Sequence, residues 1–209
     1  MDQSIVCIIG AGGTGKDTIK RYLLEKNSNY KVLLPVTTRP MRDNEEDGVD
    51  YIFTDNKTFD TMIKDDILLE HRKYKVFNDE NDVWYYGFMK PSPNSKVNIV
   101  VCPLETYISI KSHALLKSFS IIPFYIYLKP SIRLERMIER ENKNSNPNYK
   151  ELARRFFADE NDFSTIKLND AGLKPENCYY INNIDSLSSA EFIHNIINKE
   201  RRDNYGRMY

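Results

Sequence analysis

Ile5-Val6-Cys7-Ile8-Ile9-Gly10-Ala11-Gly12-Gly13-Thr14-Gly15-Lys16-Asp17-Thr18 runs from an apolar segment through a glycine-rich turn to a lysine, and this junction decides the fold class. Gly10, Gly15 and Lys16 keep the spacing G-x-x-x-x-G-K. In that loop, backbone N–H groups close around phosphate oxygens and the lysine reaches the terminal phosphates. A Ser or Thr hydroxyl usually follows the lysine and ligates Mg²⁺. Here Asp17 takes that place and Thr18 comes next. A carboxylate beside phosphates is repelled unless a cation stands between them, so Asp17 and Thr18 are the expected metal ligands. Gly12, Gly13 and Thr14 complete the loop. Ile19, Tyr22 and Leu23 then follow at helical spacing, giving the strand–loop–helix order that phosphate binding requires.

Working outward, apolar runs at 4–9, 97–102, 121–128 and 178–182 are nearly continuous rather than alternating. That pattern suits strands buried on both faces of a parallel sheet. Helical periodicity around 16–26, 104–117, 131–141 and 187–201 alternates with them, which predicts a three-layer α/β core. Residues 37–92 break the rhythm. Shorter strand-like pieces appear at Tyr51-Ile52-Phe53, Leu68-Leu69-Glu70 and Trp84-Tyr85-Tyr86, with a hairpin-type turn expected at Asp47-Gly48. This segment reads as an inserted α+β subdomain. The asparagine-rich stretch 141–150 reads as a mobile lid or hinge that packs no core.

The 30 basic and 30 acidic residues cancel, which removes any bulk electrostatic case for nucleic acid or membrane. Cys7, Cys102 and Cys178 lie far apart in apolar stretches and read as buried hydrophobes in a reducing compartment. The opening Met1-Asp2-Gln3-Ser4 lacks a basic region, and no apolar run approaches the length of a membrane span. A cytoplasmic protein, monomeric or homodimeric, is expected.

Within the inserted segment stand Thr37-Thr38-Arg39-Pro40-Met41-Arg42, Asp47-Gly48-Val49-Asp50-Tyr51-Ile52-Phe53, Leu68-Leu69-Glu70-His71 and Trp84-Tyr85-Tyr86-Gly87. In this order behind a phosphate loop, the chain resembles the guanylate kinase family along nearly its whole length. The resemblance implies a P-loop kinase core at 1–36, 93–138 and 158–209, a nucleoside-monophosphate subdomain at 37–92 and a helical lid at 139–157. It also implies ATP and a nucleoside monophosphate as partners and Mg²⁺ as cofactor. Arg39, Arg42, Tyr51 and Tyr86 would hold the acceptor phosphate, arginine being suited to bidentate contacts. Glu70 would accept hydrogen bonds from the N1 and N2 edge of guanine. Arg133, Arg136 and Arg140 share one helix face; Arg140 and Arg155 match lid arginines that, with Lys16, would act on the transferring phosphoryl group. Asn182 matches an asparagine near the adenine of ATP.

Several departures are concentrated in the base-reading and magnesium positions. Pro35 stands where the family has a serine, Phe88 where it has Ser or Thr, and Val100-Val101-Cys102-Pro103 where it has L-D-x-D. Of four expected guanine-reading groups only Glu70 is left, so relaxed or altered base choice is expected. The strand-end carboxylate is lost at Val101 while one appears at Asp17. This Gly-Lys-Asp-Thr loop resembles those of phage-type deoxynucleoside monophosphate kinases and ribose 1,5-bisphosphate kinases. Rival readings are therefore a kinase for another monophosphate or for ribose 1,5-bisphosphate. A further rival is a non-catalytic guanylate-kinase-like binding module.

Overall fold

The computed structural model describes residues 3–41, 45–75, 83–91, 95–113, 119–145 and 147–206. In chain order the elements are β1 (Gln3–Ile9), α1 (Lys16–Lys26), β2 (Tyr30–Val32), β3 (Pro35–Thr37), β4 (Ile52–Phe53), α2 (Asn56–Lys64), β5 (Leu68–Lys75) and β6 (Val83–Met89). Then come β7 (Val97–Cys102), α3 (Leu104–Ser112), β8 (Phe119–Tyr127), α4 (Pro130–Glu141), α5 (Tyr149–Asp162), α6 (Thr165–Asp170), β9 (Tyr179–Asn182) and α7 (Ser186–Gly206). They form two compact units, one from Met1–Lys31 with Ser95–Tyr209 and the other from Val32–Asn94. Among the described residues no helix is long and apolar enough to cross a membrane.

The first unit is built on a five-stranded sheet of order β2-β7-β1-β8-β9. β7, β1, β8 and β9 run parallel, in register at Ser4 with Val97, Gln3 with Phe119 and Phe124 with Tyr179. Residues Ile5 to Ile9 are completely buried, as continuous apolarity demands of a central parallel strand. Val6 and Ile8 join a core with Ile19 and Leu23 of α1 and Ile193 and Ile197 of α7. Strand order reverses about β1, and the crevice beyond the carboxyl ends of strands at such a point is where α/β sheets bind ligands. The phosphate loop leaves β1 there. All three cysteines are free and buried, and the Cys102 contact and burial push the Cys7 thiol well above its usual pKa.

The described residues of the asparagine-rich stretch are exposed or partly exposed after Glu141, but local hydrogen bonds tie them down. Glu141 is buried and accepts a hydrogen bond from the Asn148 backbone N–H at 2.7 Å. That bond holds its carboxyl below the ordinary carboxylate range. Asn148 in turn caps α5 by accepting from the Glu151 N–H at 3.0 Å, and the Tyr149 hydroxyl donates to Asn142. Short amide side chains satisfy backbone groups that a helix end leaves open, so the composition encodes capping as well as a break between helices. Asn146 lies outside the described residues.

The second unit holds a four-stranded sheet of order β4-β3-β6-β5. Its interior face, with Val36, Leu68, Ile52, Tyr85 and Met89, packs on Phe59 of α2. That helix was not foreseen from the sequence. Its start is marked by Asp55, whose side chain accepts from the Thr58 N–H at 2.8 Å. The Asp47-Gly48 turn forms, with Gly48 at φ 76° and its N–H on the Tyr51 carbonyl at 2.7 Å. It makes no hairpin, because β4 then pairs with β3 in parallel.

Candidate active site

Two sets of residues carry chemistry, one in each unit. In the first, the loop after β1 closes on itself and on its neighbours. The Thr14 hydroxyl donates to the Ala11 carbonyl at 2.7 Å, and Lys16 Nζ reaches the same carbonyl at 2.8 Å. Burial holds the Lys16 ammonium below its ordinary pKa, with Asp17 and Asp159 opposing that drop. Gly15 has φ 86°, a left-handed conformation that an L side chain resists, and it opens α1 as the residue before Lys16.

From the end of β9 the fully buried Asn183 donates from Nδ2 to the Thr14 carbonyl at 2.6 Å and to Ser186 Oγ at 3.1 Å. The expected residue, Asn182, is the last of β9 and is exposed. In-register pairing of Asn182 with Tyr127 leaves its successor to turn inward. Asn183 on the loop is a contact that the sequence reading did not include.

Two arginines of α4 stand at the loop. Arg133 is buried and donates from Nε to the Gly12 carbonyl at 2.9 Å. Its other nitrogens meet Glu160 at 2.5 Å and Asp159 at 3.5 Å, both on α5. Arg136 Nη1 stands 3.6 Å from where a Gly15 Cβ would sit, and its Nη2 donates to the Ile184 carbonyl. Arg140 is exposed on the last turn of α4. Arg155 pairs with Glu151 at 3.3 Å. Of the helix-face arginines read from the sequence, the structure brings Arg133 and Arg136 to the loop. Asp159 and Glu160 had no signal beyond lying in an amphipathic helix.

Asp17 lies in the first turn of α1 with its carboxylate mostly exposed, 3.5 Å from Lys20. Thr18 beside it is partly buried. Among the described residues no cluster of three acidic, histidine or cysteine side chains forms a metal cage. Mg²⁺ bound with phosphates typically takes one or two protein oxygens and keeps waters. A carboxylate and a hydroxyl at the mouth of a phosphate loop fit that pattern.

In the second unit, sheet register brings the expected acceptor-site residues onto one face. Pro35, Phe88 and Glu70 form one cross-strand row, and Thr37, Tyr86 and Arg72 form the next. A bulge between Leu68 and Glu70 makes this possible. Without it, residues two apart would share a face, and Glu70 would join Leu68 against α2. The extra residue turns Glu70 to the side of Tyr86. Arg72, on the same face, was missed from the sequence because no motif included it.

Arg39 sits beside this face and is 5% exposed. Its guanidinium grips Glu45 with two bonds of 2.8 and 2.9 Å and donates to the Pro40 carbonyl at 2.7 Å. It also lies 5.0 Å over the Tyr51 ring and 5.5 Å from Phe53. Burial works against its charge, but the Glu45 bonds and charge raise its pKa above the ordinary value. The Tyr51 and Tyr86 rings meet edge-on at 6.4 Å. Arg39, Tyr51 and Tyr86 thus converge, and Arg42 lies outside the described residues. Glu45 was missed; it sits in an acidic run that reads as a solvated turn.

Comparison with known proteins accords with this arrangement. The sequence profile of the guanylate kinase family matches residues 2–171. The crystal structure of guanylate kinase from Anaplasma phagocytophilum superposes with a TM-score of 0.62 at 20% identity, covering 95% of this chain and 86% of that one. MAGUK p55 subfamily member 7 of Xenopus tropicalis is 34% identical over 137 residues, which is 65% of this chain. The matched region is 22% of that relative's length. With a family profile spanning the phosphate loop, the inserted sheet and both arginine-bearing helices, the chain belongs to the guanylate kinase family.

Proposed function

We propose that the chain is a nucleoside monophosphate kinase that moves the γ-phosphoryl of ATP onto GMP or dGMP, giving the diphosphate and ADP. The observation that carries this reading is the convergence of Arg39, Tyr51 and Tyr86 beside Glu70 on one sheet face, in a chain whose phosphate loop keeps its lysine. An acceptor phosphate is already ionised, so the work is positioning and charge neutralisation. Lys16 and the loop amides would bind the β- and γ-phosphates, Arg140 and Arg155 would join them on the transferring group, and Asn182 would lie near adenine. Arg39 and Arg42 would neutralise the acceptor, with the tyrosine hydroxyls as uncharged donors. Mg²⁺, when bound, screens the phosphate charges, and Asp17 with Thr18 would hold it. The retained Lys16 favours catalysis over a purely binding module. A coupled ADP-release assay over ribo- and deoxynucleoside monophosphates and ribose 1,5-bisphosphate tests the reading. Turnover with no acceptor at all would overturn it.

The acceptor row also sets an expectation for base choice. Pro35 and Phe88 share the row of Glu70, with Phe88 between the other two, and neither has a hydroxyl to offer a base edge. Restoring hydroxyls with Pro35→Ser and Phe88→Thr together should raise the kcat/KM preference for GMP over AMP by about tenfold, the scale of one or two added polar contacts. Competition assays with both monophosphates would read it; an unchanged ratio would place base choice elsewhere.

At the other site, Asp17→Ser recreates the common loop hydroxyl and removes a carboxylate for which the chain has no strand-end substitute at Val101. The Mg²⁺ concentration for half-maximal rate should rise several-fold, and Val101→Asp in the same chain should recover part of the loss. Unchanged magnesium dependence would leave Asp17 as a surface partner of Lys20.

A further inference from the structure

We propose that Asp159 is a built-in competitor for the phosphate loop: its carboxylate occupies a backbone anion site that a nucleotide phosphate must take over, so this residue sets the loop's affinity for polyphosphate. The inference rests on the reading of the loop as an ATP site. The Gly12 N–H donates to Asp159 Oδ2 at 2.6 Å. This is a short, charge-assisted bond of the kind such loops make to phosphate oxygens. The approach is close enough that a Cβ at Gly12 would lie 2.9 Å from the same oxygen, so a side chain there would make the carboxylate shift.

Asp159 reaches this place because α5 packs on α4 and Arg133 ties both to the loop. Arg133 meets Asp159 at 3.5 Å and Glu160 at 2.5 Å while donating to the Gly12 carbonyl. The same peptide neighbourhood is therefore held from two sides, by a cation on its carbonyl and an anion on its amide. Lys16 completes the self-satisfied state by donating to the Ala11 carbonyl. Two anions cannot share one N–H without mutual repulsion. A phosphate entering at Gly12 must expel Asp159, which carries α5 with it or rotates away, and only then do Lys16 and the loop amides face the ligand. The cost of that expulsion is subtracted from polyphosphate affinity.

Tripolyphosphate titrated by calorimetry into the full chain isolates this effect from base and ribose contacts. Asp159→Asn keeps the shape but removes the charge, and should bind tripolyphosphate about tenfold more tightly, a change of about 1.4 kcal/mol. Asp162→Asn removes the same charge from the same helix, where Asp162 pairs only with Lys167 among its described ion pairs, and should shift affinity less than about twofold. Asp159→Ala serves if the asparagine variant does not fold, and the same tightening is expected. Equal shifts in the Asp159 and Asp162 variants would reduce the effect to general charge and overturn the proposal. Unchanged or weaker binding by the Asp159 variants, in a chain whose wild type binds tripolyphosphate, overturns it alone. If the wild type binds no tripolyphosphate and Lys16→Ala changes nothing, the ATP-site reading falls and the proposal with it.

Discussion

Lys16→Ala should lower phosphoryl transfer by about 10²–10³-fold while the protein stays folded, in line with the loss of one preorganised charge-stabilising donor. The ammonium is partly buried, and burial already lowers its pKa. Asp17 and Asp159 lie near enough to oppose that drop. In the ligand-free loop its hydrogen bond goes to the Ala11 carbonyl at 2.8 Å, a neutral partner that a phosphate oxygen outcompetes. Its removal therefore costs the loop one exchangeable contact, worth about 1 kcal/mol of stability. Meanwhile Asn183, Arg133 and the Thr14 hydroxyl keep the backbone in place. Steady-state rates at saturating ATP, with thermal denaturation of the same sample, separate the two effects. Near-normal transfer with any acceptor would mean that the loop has been misread. A large fall in melting temperature would mean that Lys16 is a fold determinant first.

Much of this arrangement was legible because it follows from local rules. The run Ile5 to Ile9 could only be a doubly buried strand, and the loop after it could only be glycine-rich. The register of the four predicted core strands then follows from their common parallel packing. What escaped reading depends on counting across space. The bulge that turns Glu70 to the side of Tyr86 is a single residue of slippage between β5 and β6, invisible without both strands. β2 is three residues long, too short to show a pattern. Asn183 rather than Asn182 reaches the loop because of where β9 stops. Asp159, Glu160 and Glu45 are acidic residues in polar surroundings, and a sequence offers no reason to distinguish them from solvated ones. Each becomes notable only through the buried arginine it meets, Arg133 or Arg39. Arginine motifs were visible; their carboxylate partners were not.

That partnership makes Arg39 the second large effect. Arg39→Ala removes the cation that would meet the acceptor phosphate and also takes two charge-assisted bonds from Glu45, whose side chain is only 14% exposed. Breaking a buried ion pair from one side typically costs up to about 3–5 kcal/mol. A further loss comes from the guanidinium face stacked on Tyr51 and Phe53. The variant should therefore unfold at markedly lower denaturant and raise the KM for the monophosphate by about 100-fold, the scale of a lost bidentate charge contact. ATP affinity, measured alone, should hold. Since a weakened fold by itself raises KM, Arg39→Ala with Glu45→Ala is the decisive comparison. Removing both charges dismantles the pair as a whole, and replacing a buried pair by apolar groups is often neutral or better for stability. The double variant should thus recover most of the stability but none of the acceptor affinity. Recovery of both would show that Arg39 serves the sheet alone and that the acceptor phosphate is held by other groups. Recovery of neither would mean that the Arg39–Glu45 pair, packed under Tyr51, is what keeps the acceptor face formed.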